Sequence, residues 1–136
     1  MQMQDNLGLT QGDLIKRLLA NLPAGYTDAT VKKPNTKFTT PTNKKWLRIT
    51  VIPAAKNNVQ AGGGYRRTFG ICVIDCFYPL GDGDQAQLAD TKLIEDIYQN
   101  QEFDNTKCQE AYTLNIGEDG SWYNQQVNIN FYYEGQ

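Results

Sequence analysis

The fold is decided by Trp46-Leu-Arg-Ile-Thr-Val-Ile-Pro53 and Tyr65-Arg-Arg-Thr-Phe-Gly-Ile-Cys-Val-Ile-Asp-Cys-Phe-Tyr78, two segments that flank a loop containing Gly62-Gly63-Gly64. Both segments are rich in β-branched and aromatic residues, which suit the pleated and half-buried surface of a sheet. The glycines favour a chain reversal, because glycine reaches positive φ without steric cost. The pattern therefore predicts a long antiparallel β-ribbon made of the two segments.

The connection between the two arms of this ribbon is expected to contact a partner. Pro53 should end the first arm, because proline cannot donate to a continuing strand ladder. The loop 54–64 is then longer than the usual hairpin connection of about two to five residues, and such loops often become ordered on a partner. Arg66 and Arg67, at the start of the second arm, point to opposite sides of the ribbon, so either one contacts a partner or a polyanion while the other packs, or both remain solvated. The expected contact residues are Asn57, Asn58, Val59, Gln60, Gly62, Gly63 and Gly64, together with Arg66 and Arg67.

The second arm carries apolar side chains on both of its faces. Phe69, Ile71 and Val73 alternate there with Cys72, Ile74 and Cys76. Two apolar faces need cover on both sides, whereas a small α+β domain usually carries its helices on one face. We therefore expect a neighbouring subunit to cover the face formed by Cys72, Ile74 and Cys76, which would make the chain a homo-oligomer.

Two amphipathic helices are predicted beside the sheet. The first spans residues 9–22, where apolar side chains recur at the helical period, with Thr10 as its N-cap and Pro23 after its end. The second spans residues 85–99, with Asp84 as its N-cap. Its predicted buried stripe consists of Ala86, Ala89, Leu93, Ile94, Ile97 and Tyr98.

Further strands are predicted at residues 29–32, 111–116 and 122–133, with a polar loop at 101–109. In the last strand Val127, Ile129, Phe131 and Tyr133 alternate with Gln126, Asn128 and Asn130, so one face is core and the other an uncharged amide surface. The predicted fold class is α+β, a mostly antiparallel sheet with a long β-ribbon and two helices packed on one face. We expect a single domain over residues 1–136.

Composition excludes several classes of function. The chain has 136 residues, a net charge of −2 and no histidine. Ser-His-Asp and Cys-His catalysis are therefore excluded, and the commonest metal ligand is missing. The net charge disfavours bulk electrostatic binding of nucleic acid. No apolar run approaches the about 18 residues that cross a bilayer, and the N-terminus lacks the features of a secretory signal. We expect no cofactor, no metal, no membrane contact and synthesis in the cytoplasm.

The cysteines and Asp75 favour structural interpretations. Cys72 and Cys76 are separated by about 13 Å if they lie on one strand, which is too far for a disulfide, so we expect buried free thiols. Cys108 falls in the predicted polar loop. Asp75 lies in an apolar strand, where an unpaired carboxylate is costly, and an ion pair is favoured over catalysis. The glycine triplet lacks the Lys-Ser or Lys-Thr and the helix that a P-loop needs.

Several different motifs follow one another along nearly the whole chain. They are the leucine-striped N-terminal helix, an extended segment with prolines, Trp46-Leu-Arg-Ile-Thr-Val51, the glycine triplet, Val73-Ile-Asp-Cys-Phe77-Tyr-Pro79, Gly81-Asp-Gly before a helix, Trp122-Tyr123, and Val127-Asn-Ile-Asn-Phe-Tyr-Tyr133. None of them is a catalytic signature. Together they make the chain similar to the bacteriophage tail terminator-like proteins.

This resemblance implies a structural virion protein of a tailed phage and not an enzyme. Members of the family form a ring, usually a hexamer, on the head-proximal end of the tail tube. The ring stops tube polymerisation and presents a surface for head–tail joining. The implied partners are further copies of the chain, the major tail tube protein and a head-completion or neck protein, while DNA only passes through the lumen. The implied location is the virion tail or neck, after synthesis in the infected bacterial cytoplasm.

The resemblance leads to one further hypothesis and leaves one alternative open. We hypothesise that Gln126, Asn128 and Asn130 line the lumen, because an uncharged wall lets DNA slide without phosphate–arginine pairing. The alternative function is another neck or head-completion component of similar fold, such as a stopper or joining protein. A hydrolase built on Asp75 lacks a second carboxylate or base at a suggestive spacing, and a nucleic-acid-binding module is disfavoured by the charge.

Overall fold

The computed structural model describes residues 3–58, 66–81, 83, 85–103 and 106–135, with the side chains of residues 8–53, 67–81, 83, 85–103 and 106–133. The helices are α1 (Met3–Ala20) and α2 (Gln85–Tyr98), and a 3₁₀ turn spans Asp28–Thr30. The strands are β1 (Val31–Lys32), β2 (Trp46–Asn58), β3 (Arg66–Pro79), β4 (Glu102–Phe103), β5 (Thr106–Asp119) and β6 (Trp122–Gly135). The predicted α+β class with a mostly antiparallel sheet is confirmed.

The strands form one six-stranded sheet in the order β1-β2-β3-β6-β5-β4. The long strands β2, β3, β6 and β5 pair antiparallel, so neighbours alternate in direction and β2 runs opposite to β5. The short β1 pairs in parallel with β2 only at Leu47 and Arg48, and β4 pairs with β5 only at Thr106 and Lys107. Beyond these contacts, no strand in the described part of the chain lies beside the outer edges of β2 and β5.

The core includes one set of alternating strand side chains together with side chains of both helices. Cys72, Ile74 and Cys76 of β3 belong to it and are each 0% exposed. Leu14 and Leu18 of α1 are buried in the same cluster, which also contains Ile94, Ile97 and Tyr98 of α2. The chain itself therefore seals this face of β3. The expectation that a neighbouring subunit must cover Cys72, Ile74 and Cys76 is wrong, because these side chains are already buried in one cluster with apolar side chains of the chain itself.

Helix α1 begins earlier than predicted. It starts at Met3, so Thr10 lies inside the helix, fully buried, and is not the N-cap. The preceding residues are mostly good or tolerable helix formers, and nothing among them forces a start at residue 9. Leu14 and Leu18 are buried as the stripe predicts, and the helix ends at Ala20, ahead of Pro23.

Helix α2 buries a different side from the predicted one. Ile94, Ile97 and Tyr98 are buried as expected. Ala86, Ala89 and Leu93 are exposed, and Gln87, Asp90 and Thr91 are buried in their place. The helical period is correct, but three of the six buried positions differ from the prediction, which rotates the buried side around the helix by about 60° at 100° per residue.

Polar partners explain why α2 turns these residues inward. Gln87 Nε2 donates to the carbonyl oxygens of Cys76 at 2.9 Å and of Tyr123 at 2.8 Å. The Asp90 carboxylate accepts a hydrogen bond from Lys45 Nζ at 2.7 Å and another from the hydroxyl of Tyr78. Because buried polar groups that are hydrogen-bonded escape most of the desolvation cost, this side of the helix can dock as favourably as an apolar one.

Two strands are longer than predicted. Pro53 does not end β2, which continues to Asn58 through a register shift between Pro53 and Ala55. A proline is tolerated here because the strand is at the sheet edge beside a bulge. In the described part of the predicted polar loop at 101–109, Glu102–Phe103 form β4 and β5 begins at Thr106, and Cys108 is only 5% exposed. Val59, Gln60, Gly62, Gly63, Gly64 and Asp84 lie outside the described residues.

Candidate assembly surface

The sheet has an outer surface, formed by the strand side chains that alternate with the core-facing ones. One register row across this surface runs through Arg48, Asp75, Gln126 and Leu114, and the next through Thr50, Val73, Asn128 and Tyr112. In both rows β6 contributes an amide and the edge strand β5 an apolar side chain. The outer surface is therefore polar near its middle and apolar at the β5 edge.

Asp75 is the centre of a hydrogen-bonded network on the outer surface, where it is only 2% exposed. Its Oδ2 accepts hydrogen bonds from Arg48 Nε at 3.1 Å and Nη2 at 3.0 Å. Its Oδ1 accepts from Asn124 Nδ2 at 3.2 Å and Gln126 Nε2 at 2.9 Å. Asn128 Nδ2 in turn donates to Gln126 Oε1 at 3.2 Å. The predicted ion pair is confirmed, and the amides beside it are held in fixed orientations.

Large apolar side chains are exposed at the two edge strands of the outer surface. On β2, Ile52 is 49% exposed. On β5, Tyr112 is 38%, Leu114 46% and Ile116 50% exposed, the last at the irregularity between Asn115 and Gly117. Half-exposed apolar side chains beside an unpaired strand edge are typical of a surface that another polypeptide covers.

Aromatic side chains of the chain itself cover the end of the outer surface where β2 begins. Trp46 stacks on Phe77 with 4.2 Å between ring centroids, and Trp122 meets Trp46 edge-on at 6.0 Å. Phe38, from the segment that precedes β2, lies 5.3 Å from Trp46. Because these rings already pack on one another, this end of the surface is closed internally.

The predicted partner-contacting residues have different locations. The backbones of Asn57 and Asn58 pair with Arg67 and Arg66 at the far end of β2 and β3. The Arg67 guanidinium lies 4.6 Å from the centroid of the Tyr132 ring, so its side chain is held within the chain. Cys72, Ile74 and Cys76 lie in the core, away from this surface, whereas Gln126, Asn128 and Asn130 belong to the outer surface.

Sequence reasoning missed the apolar edge of β5 and the partners of Asp75. The alternation of Tyr112, Leu114 and Ile116 was a usable signal, because apolar side chains at alternate positions of a strand share one side of it. Arg48 and Asn124 could only be identified as partners of Asp75 once the register was known.

The titratable groups of the core do not provide a reactive site. All three cysteines are free and buried, and burial raises the pKa of Cys108 to about 12 and also raises those of Cys72 and Cys76. Such thiols stay protonated at neutral pH, where the nucleophile would have to be a thiolate. Among the described residues, no three His, Cys, Asp or Glu side chains are placed to hold a metal ion. Nor does any helix in those ranges have the length and apolarity to cross a membrane.

Comparison with known proteins identifies relatives of the chain. A family model described as phage tail terminator protein matches residues 13–131. Six chains of solved structures also match. One of them aligns over 92% of this chain and 96% of its own length, with a TM-score of 0.66 and 20% sequence identity, which shows a shared fold. No curated protein matches the chain.

Proposed function

The chain belongs to the phage tail terminator family, and from that premise we propose that it forms a ring, a hexamer, on the head-proximal end of the tail tube. The ring stops tube polymerisation and provides the surface for head–tail joining. A member of this family is a structural protein of the phage tail that interacts with other tail or neck proteins. The partners proposed here are further copies of the chain, the major tail tube protein and a head-completion or neck protein.

The family match over residues 13–131 is the observation that carries this proposal. The outer surface supports it, because half-exposed Ile52, Tyr112 and Leu114 leave apolar area available for another subunit. In this proposal both helices cover the same side of the sheet, and residues 1–136 act as one domain. The β2–β3 pair forms the long ribbon, and Val59, Gln60 and Gly62 to Gly64, which lie between its two strands in the sequence, contact an adjacent subunit or the tube.

The polar middle of the outer surface is proposed to face the lumen of the ring. Gln126, Asn128 and Asn130 carry uncharged amides there, and Asp75 beside them is paired with Arg48. An uncharged wall gives DNA phosphates no strong partner, so the genome can slide past without being held. DNA is therefore a passing cargo of the ring and not a ligand.

Deletion of the gene tests the proposal and separates it from the alternative function. Tails made in infected cells without the protein should be longer than wild-type tails and variable in length, and a plasmid copy of the gene should restore one length. Electron microscopy of the lysate gives the length distribution. Tails of normal length that fail to attach to heads would instead assign the chain to a joining or stopper role.

A further inference from the structure

We propose that neighbouring copies in the ring join edge to edge, with β2 of one copy pairing antiparallel to β5 of the next, so that the sheets continue from subunit to subunit. This inference rests on the proposed ring and specifies how its subunits associate. It assigns the contact to backbone pairing between two different sheet edges. The contact is therefore heterologous, which is the type of contact that generates a closed ring.

The strand directions favour this joint. The four long strands alternate in direction from β2 through β3 and β6 to β5, so the two edge strands run opposite to each other. Rotation about an axis roughly parallel to the strands keeps the direction of every strand. The β5 of the next copy then lies antiparallel to β2, and the alternation continues across the joint without interruption.

Both edges are open where the joint requires it. On β2, β1 occupies only Leu47 and Arg48, and the outer edge from Ile49 onward has no described strand beside it. On β5, β4 occupies only Thr106 and Lys107 at the opposite end of the sheet. Because the two short strands cap opposite corners, a shift of one copy along the strand direction brings the open stretches together. Closed sheets require such a stagger.

Exposed apolar side chains lie at the edges that the joint brings together. Ile52 on β2 and Tyr112 and Leu114 on β5 are 49%, 38% and 46% exposed, and all three belong to the outer surface. Across a joint they become cross-strand or diagonal neighbours and cover one another. Pro53 lacks an N–H, so the pairing stretch of β2 is Ile49 to Ile52.

Cross-linking in assembled particles tests the joint. Phage whose only copy of the gene carries Ile52→Cys and Leu114→Cys would be treated with a bismaleimide of about 10 Å span, which reaches direct and diagonal cross-strand neighbours. Within one chain these positions are three strand spacings apart across the sheet, about 14 Å, and four residues apart along β6, about 13 Å, because Ile52 aligns with Asn130 and Leu114 with Gln126, so they lie beyond the reagent. The three native cysteines are buried, so wild-type particles serve as the unreactive control.

The joint predicts a ladder of covalent dimers, trimers and larger species in denaturing gels for the double variant. Each single variant should give no dimer, because Ile52 then faces an unmodified Leu114 in the next copy. Dimers from a single variant would indicate pairing of identical edges and overturn the joint. The joint is also overturned if the double variant is incorporated into particles with tails of normal length but gives no ladder of cross-linked species. That last result leaves the proposed function intact, whereas normal tails without the protein overturn the function itself.

A charge exchange gives an independent test that does not depend on cysteine chemistry. Ile52→Lys or Leu114→Glu alone should lower the amount of the protein incorporated into tails at least tenfold, because each variant places a charge in the apolar joint. Co-expression of the two single variants should restore incorporation, since Lys then meets Glu at alternate joints. Leu88→Lys, on an exposed leucine of α2, is the matched control and should be incorporated normally. Failure of co-expression to restore incorporation contradicts the joint.

Discussion

At the scale of single residues, Gly70 shows how closely the sheet is packed. A Cβ atom at Gly70 would lie 2.6 Å from Cζ of Phe131 and 2.8 Å from the carbonyl oxygen of Ile52. At Gly12, within α1, a Cβ would meet nothing within 4 Å. Close packing therefore requires glycine at position 70, whereas at position 12 glycine serves no packing need and lowers helix propensity.

Alanine at these two positions should change stability in opposite directions. Gly70→Ala is expected to lower the free energy of unfolding by about 1–3 kcal/mol, because the Ile52 backbone must move. Gly12→Ala should raise it by about 0.5–1 kcal/mol through higher helix propensity. Urea denaturation followed by circular dichroism measures both. A neutral Gly70→Ala would show that the sheet relaxes more easily than its packing indicates.

The Arg48–Asp75 pair is the polar contact of the outer surface whose loss should matter most. Arg48→Met leaves Asp75, which is 2% exposed, with the side-chain amides of Asn124 and Gln126 as its remaining side-chain donors in the described part of the chain. We expect the free energy of unfolding to fall by about 1–2 kcal/mol. This is less than for a fully buried pair, because the Arg48 side chain is 39% exposed and water can partly replace it.

Denaturant unfolding of Arg48→Met should be compared with that of Lys92→Met. Lys92 forms an exposed pair with Asp96, at 3.3 Å and with 71% of its side chain exposed, and its removal should cost no more than about 0.5 kcal/mol. Equal losses in the two variants would mean that Asp75 does not depend on its arginine partner.

At the scale of elements, Gln87 ties α2 to the ends of β3 and β6. Gln87→Met keeps the side-chain volume but removes the amide that donates to the carbonyl oxygens of Cys76 and Tyr123. We therefore expect the free energy of unfolding to fall by about 1–2 kcal/mol. Gln85→Met, exposed at the start of the same helix, is the matched control and should be neutral. Thermal unfolding of the two variants measures the difference. A stabilised Gln87→Met would show that apolar packing, and not hydrogen bonding, seats this helix.

The central strands could be predicted from the sequence because their alternation is strict. Val127, Ile129, Phe131 and Tyr133 are all at most 2% exposed, as the period of two requires. The ion pair at Asp75 was also predictable, since a carboxylate in an apolar strand needs a partner. Both inferences depend on local pattern alone.

The remaining features depend on tertiary contacts that no local pattern contains. The buried side of α2 follows Gln87 and Asp90, whose partners come from distant segments. The continuation of β2 through Pro53 depends on a bulge that the edge position permits. Cys72 and Cys76 are buried in one cluster with side chains such as Leu14 and Tyr98, which are distant from them in the sequence.

At the scale of the whole molecule, the proposed lumen predicts an effect on DNA passage. Asn128→Arg with Asn130→Arg should slow DNA ejection, because added guanidinium groups bind phosphates. Asn128 is 6% exposed and bonded to Gln126, so Asn130→Arg alone is the cleaner variant. Dye fluorescence of DNA released from particles measures the rate. Thr39→Arg, exposed before β2, is the charge-matched control, and normal ejection and infectivity in the Asn130 variant would contradict a lumenal position.

Addition of the purified protein to growing tail tubes tests the central claim most directly. Major tail tube protein would be allowed to polymerise, the chain would be added partway, and tube lengths would be followed by electron microscopy. Capping of the tube end by a ring predicts that lengths stop increasing at the time of addition, with extra density at one end of each tube. Tubes that continue to lengthen at the rate of an untreated sample, with bare ends, would contradict the account.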